Sequence, residues 1–217
     1  KLEGEAGPVS NLALDFKASL DSYPAQGSLT AEELLVSATG KLGQRNLAVK
    51  LVLPSLKIIN NAYSGDQLTL DASLYQLDEI SSVAMQLPAF EAANRIFNAA
   101  ELSADFDFKG DARTLHGKLT SPLSINFETA PKFQLGAIAL AVTGNHPALS
   151  GEVTANVTGN MHVDYAAQNA KFDLVAKIDD SKIAGTVSLK DFNHPAYAVE
   201  ISANRLDLDR YLSGEWL

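Results

Sequence analysis

The sequence contains no cysteine. That absence excludes a disulfide framework, a thiolate nucleophile and a sulfur-ligated metal centre. Positive charge is also scarce: 17 Lys and Arg stand against 26 Asp and Glu, a net charge of -9 at pH 7. A phosphate backbone is repelled by that average field, so nucleic acid is not an expected partner. The longest nearly uninterrupted apolar stretch, around Leu135 to Val142, is far shorter than the roughly 18 residues a membrane-crossing helix needs. The chain opens on Lys1 with neither an initiator methionine nor a signal-peptide pattern. Whatever targets the parent protein is therefore expected outside this stretch.

What is present is 46% hydrophobic content over 217 residues, enough for a folded β domain. The dominant pattern is period-two alternation, which places successive side chains on opposite faces of a strand. It recurs in Leu12, Leu14, Phe16, Ala18 and Leu20, in Leu68, Leu70, Ala72 and Leu74, and in Leu102, Ala104, Phe106 and Phe108. Later examples are Phe172, Leu174, Ala176 and Ile178, then Tyr197, Val199, Ile201 and Ala203. Asp, Lys, Asn and Ser fill most of the gaps. One face of each strand is apolar and the other polar.

The runs recur at a step of 34, which carries Val36 to Leu70, Ala104, Ile138 and Phe172. A second set follows the same step through Val49, Val83, Gly117, Gly151 and Gly185. Alternation with central glycines contradicts helices, so the period means tandem β units. Units run from about residue 34 onward, with three strands each, in a single β-repeat region over 1–217. Pro54, Pro88 and Pro122 are expected to end the second strand of the first three units. In the fifth, a four-residue loop from Asp179 to Lys182 is expected to pair Ile178 with Ile183 and Phe172 with Leu189. One short helix is expected over Pro88 to Ala100, where Phe90, Ala93 and Phe97 have helical spacing. It would lie over the apolar face. The fold class is thus all-β: a large antiparallel meander of about 15 amphipathic strands, a curled groove or sandwich-like, with at most one or two short helices.

The residues offer little to catalysis. Asp105, Asp107 and Asp111 superficially suggest a calcium loop, but the twelfth position holds His116 where a bidentate Glu is required. They are expected to be carboxylates on a polar strand face. His116, His146, His162 and His194 form no HxxxH or HxH pattern, and no GxSxG elbow or glycine-rich phosphate loop occurs. Asn145-His146-Pro147-Ala148 and Asn193-His194-Pro195-Ala196 mark turns into strands. The expectation is a protein that is not an enzyme and needs no metal or cofactor.

An apolar face left wet costs about 25 cal/mol per Å², so it must be covered by a second sheet, by closure, or by apolar ligand in a groove. Leu, Val, Ala and Ile would make a dry sandwich core as readily as a smooth acyl-chain lining. A structural or adhesive scaffold that binds protein partners and a lipid groove both remain open at this point.

A resemblance bears on that choice. Gly185, Val187, Asp191, Phe192, Pro195, Tyr197 and the run Leu206 to Leu212 match a "G...V.DF..P...F.......DLDRYL" pattern, with Tyr197 in place of Phe. In this the chain resembles the AsmA family of Gram-negative envelope proteins, and the likeness continues more weakly through Lys1 to Pro8. The resemblance implies a periplasmic protein of outer-membrane biogenesis, anchored in the inner membrane by a segment upstream of Lys1. It implies phospholipid or another acyl-chain lipid as partner, carried along an apolar β-groove, with envelope proteins as further partners. The family supplies no catalytic residues. On this reading Leu70, Ala104, Phe106, Leu140, Phe172, Leu174, Val187 and Ile201 are expected to face lipid, while the Leu206 to Leu212 run is structural.

Overall fold

The structure, a computed structural model, describes residues 9–23, 27–147, 151–179 and 181–204. Period-two alternation resolves into twelve strands: β1 (Val9–Tyr23), β2 (Ser28–Leu42), β3 (Arg45–Ile59), β4 (Ala62–Gln76), β5 (Glu79–Ala93) and β6 (Ile96–Gly110). These are followed by β7 (Arg113–Asn126), β8 (Lys132–Asn145), β9 (Val153–Asp164), β10 (Asn169–Ile178), β11 (Ser181–Lys190) and β12 (Ala196–Ala203). All lie in one antiparallel sheet whose spatial order is the chain order. It is an open meander, neither closed into a barrel nor folded into a sandwich. No helix occurs among the described residues.

The step of 34 is a hairpin. Strands β2 to β6 are each 15 residues long and are joined by two-residue turns, so two strands and two turns make one unit (15 + 2 + 15 + 2). The unit therefore has two strands, not three. Each tight turn reverses the chain through positive φ, at Asn60 and Asn61, Asn94 and Arg95, and Asp111 and Ala112. That geometry matches the right-handed twist of the flanking strands. Larger turns enter after β7, and the step slips. Ala104 aligns through Leu119 with Leu140, not with Ile138, and Leu140 aligns through Val157 with Ala176, not with Leu174. Each slip is of two residues. Because they are even, the same face stays apolar.

Two local expectations are corrected in the same way. In the fifth unit Ile178 pairs with Ser181 and Phe172 with Val187. A shorter turn moves the pairing by two residues and again keeps the face. The segment Pro88 to Ala100 is not a helix but the end of β5, the Asn94–Arg95 turn and the start of β6. Its apparent helical spacing arises because the two-residue turn brings Phe97 onto the face of Phe90, the two rings stacking at 5.2 Å, while Ala93 points to the other face.

A seam crosses the strands near their middles. Pro54, Pro88 and Pro122 lie inside β3, β5 and β7 rather than at their ends. Proline has no N–H to give the ladder. The positions in register with the first two, Glu33 and Gln67, have φ of 52° and 54°, and the ladder omits them. Further along, the register jumps by one residue between Ala99 and Leu102, between Thr120 and Leu123, and between Leu135 and Ile138. In an uninterrupted strand, residues i and i+3 point to opposite faces. Here Leu53 and Leu56, Leu87 and Phe90, and Ala99 and Leu102 pack in one cluster. The apolar phase is reset by one residue at the seam.

The core lies on that line. Leu53, Leu87, Phe90, Ala99 and Leu102 are only 3–8% exposed, and Leu34, Leu68, Phe97, Leu123 and Leu135 pack around them. Among the described residues no second layer lies over them. Their burial comes from large side chains of one face packing on one another along the seam. The outer strands differ: Leu14 and Phe16 of β1 are 67% and 70% exposed. Replacement of Leu87 by Ala is expected to destabilise the protein by about 2–4 kcal/mol. Leu14→Ala should change stability by less than about 0.5 kcal/mol. Urea unfolding of the two variants beside the parent checks the difference.

Candidate functional site

The seam gathers the apolar side chains of both strand halves into one band, here called the trough, that runs from strand to strand. Pairing registers connect its lining into rungs. One runs through Phe16, Val36, Leu51, Leu70, Met85 and Ala104. It continues through Leu119, Leu140, Val157, Ala176, Ile183 and Ala203. No polar side chain interrupts it in twelve strands. At about 4.8 Å per strand the rung is roughly 50 Å long.

The eight residues singled out from the sequence all lie on this face. Leu70, Ala104 and Leu140 belong to the continuous rung. Phe106 stands one rung over, between Val83 and Gly117. Leu174 and Ile201 flank Gly185 in a third rung, and Phe172 with Val187 forms a fourth. Ala104 is buried, Ile201 is 60% exposed, and the other six are half-buried. Sequence reasoning missed three of the large covered residues of the trough, Leu53, Leu87 and Phe90. The signal that points to them is the step of three across Pro54 and Pro88, which had been assigned to strand ends and a helix.

Two glycines shape the floor. Gly65 is paired directly with Phe90 and Gly117 with Phe106. A Cβ at position 65 would lie 2.5 Å from two atoms of the Phe90 ring, and one at position 117 would collide with three atoms of the Phe106 ring. Both rings therefore reach over a residue without a side chain. At the turn end of β6 to β9 the face finishes in an apolar depression of about 310 Å³ among Phe108, Leu115, Val142, Val153 and Ala155.

The opposite face carries the charge. Asp105 and Asp107 sit there as expected, 4.0 Å from Lys118 and 2.7 Å from His116 on β7. Asp111 pairs with Arg113. No group of three or more His, Asp or Glu residues able to hold a metal ion occurs among the described residues. Asp164 accepts the Ala167 backbone N–H at 3.0 Å and lies 3.0 Å from the Lys132 ammonium. These hold its carboxyl below the ordinary range, the backbone bond most. Asp173 is lowered first by the Thr186 hydroxyl, which donates to it at 2.6 Å, and then by Lys171.

The residues of the "G...V.DF..P" pattern build one hairpin. The Asp191 carboxylate accepts the N–H groups of Asn193 and His194 at 3.1 Å, fixing the turn that leads through Pro195 into β12. Phe192 meets Tyr165 edge-on at 5.4 Å. A side chain at Gly185 would collide with the β12 backbone. These roles are structural. Lys1 to Pro8 and Leu206 to Leu212 lie outside the described residues, as do Ala148, Leu149 and Asp180.

Compared with protein-family models, with curated proteins and with solved structures, the chain matches none of them.

A carboxyl whose pKa is lower folded than unfolded stabilises the fold above its unfolded pKa and loses that contribution as pH falls through the folded value. Asp164 and Asp173 are such groups. Stability should therefore fall on acidification through the carboxylate range, and the fall should be shallower in an Asp164→Asn, Asp173→Asn double variant. Urea midpoints across a pH series check this.

Proposed function

We propose that this chain is a non-enzymatic segment of a periplasmic protein of outer-membrane biogenesis, and that it binds or conducts phospholipid or another acyl-chain lipid along its apolar trough. The single observation that carries the reading is the continuous apolar lining on an uncovered sheet. An ordered apolar surface about 50 Å long, with no layer packed on it, matches the chemistry of an acyl chain. The lining offers an extended chain dispersion contacts and no fixed polar group to orient one particular molecule. Its axis crosses every strand, so a chain lying in it can pass between units.

The resemblance to the AsmA family in Gly185 to Tyr197 supports the location: a periplasmic domain whose inner-membrane anchor lies outside this stretch, in a Gram-negative bacterium. The negative charge on the opposite face keeps that side in water. A structural or adhesive scaffold with a dry core would need a second layer over the trough. The described residues form one sheet, which favours lipid over that alternative. Envelope proteins remain partners for the outer strands and the polar face.

The experiment places photoreactive residues one at a time at Leu70, Phe106, Leu140 and Leu174, and at the polar-face positions Asp71 and Asp107. Delipidated protein is incubated with a diacyl phosphatidylethanolamine in mixed micelles and irradiated. The expected result is lipid adducts at the four apolar positions and few at the two aspartates. Equal labelling on both faces sinks the proposal.

A further inference from the structure

We propose that Gly117 and Gly65 set the clearance of the trough, by letting the Phe106 and Phe90 rings lie flat in its floor. The inference rests on the lipid-trough reading and goes beyond it by naming the residues that decide what the trough admits.

A phenylalanine on a strand normally stands away from the sheet, because strand side chains project roughly perpendicular to it. Standing rings at positions 90 and 106 would rise into the path along which the rungs run. Phe90 is instead 8% exposed, although no second layer of described residues covers it. It reaches over Gly65, its direct partner on β4, stacks on Phe97 and packs with Leu53, Leu87 and Leu102. Phe106 does the same over Gly117 on β7. Glycine inside a strand costs stability relative to alanine. Two glycines, each paired directly with a phenylalanine of the same face, give the same result. The ring contributes apolar area to the floor without standing in the passage, so the floor stays low enough for extended acyl chains.

Neither glycine can be replaced without moving a ring. The backbone on both sides is held by ladder partners, with Gly117 between Phe106 and Val142 and Gly65 between Leu56 and Phe90. The ring must yield, and the free direction is up into the trough. A β-branched residue at 117 suits the strand backbone while displacing the ring. Gly117→Val is therefore an obstruction built from the protein's own Phe106.

Photoreactive reporters at Val83 and Val142, beside the ring, and at Leu174, three strands beyond β7, are read in the parent and in Gly117→Val with the same phosphatidylethanolamine micelles. Labelling at Val83 and Val142 is expected to drop about fivefold or more, equivalent to about 1 kcal/mol, with Leu174 unchanged. Gly117→Val combined with Phe106→Leu removes the ring, keeps the new side chain and should recover labelling. A purely structural glycine would give no such recovery. If Gly117→Val does not keep the strand signature in circular dichroism, Gly117→Ala, whose Cβ also meets the ring, is read with the same reporters and the same Phe106→Leu rescue. Labelling beside the ring within roughly twofold of the parent, or no recovery in the double variant, overturns the proposal while leaving the lipid trough intact. A parent labelled at none of the three reporters overturns the trough itself, and this inference with it.

Discussion

A sheet that carries one apolar face and has no second layer must pack the side chains of that face on one another or leave them wet. Every feature of this molecule follows from that constraint. Exposed apolar surface costs about 25 cal/mol per Å², and strands 15 residues long present a wide area. Packing along the seam converts part of that exposure into contact between side chains of the same face. Leu53, Leu87, Phe90 and Leu102 become nearly as covered as the core of a layered domain, while the outermost strands keep Phe16 and Tyr197 70% and 72% exposed.

The seam needs a device, and proline supplies it. Placed inside β3 and β5, Pro54 and Pro88 remove a ladder bond at a fixed position, and the neighbouring strands answer with left-handed residues at Glu33 and Gln67. The irregularities are aligned across the sheet, so they add up to a line rather than scattered defects. At that line the apolar phase advances by one residue, and both halves of each strand present their apolar side to the same trough. Without the reset, Leu56 and Phe90 would point into water.

Filling such a trough is a separate problem from forming it. Aromatic side chains give the most contact area and stand tallest. Pairing them with glycine on the neighbouring strand keeps the area and loses the height, which is why glycine appears in the middle of strands where propensity disfavours it. Away from the strand ends, where Arg45 pairs with Glu79, the same alternation puts charge on the other face, in cross-strand pairs such as Asp107 with His116 and Asp105 with Lys118.

How much of this was legible in the chain follows from the range of each signal. Alternation is local, so the all-β class, the apolar face and the positions of Leu70, Ala104, Leu140 and Leu174 on that face could be read from neighbouring residues alone. The step of 34 was visible too, but the two-strand count was not, because a hairpin and a three-strand unit share a period when the turns are unmarked. The segment around Phe90 and Phe97 was misread as helix. A spacing of seven arises both from a helical face and from two strands joined by a two-residue turn, and only the pairing of β5 with β6 separates them. By itself the sequence determined which side of each strand is apolar, since that depends on residues two apart. Only the tertiary structure decided that the face is one uncovered trough with its rings laid over glycine, because the seam and ring placement depend on cross-strand partners far apart in the chain.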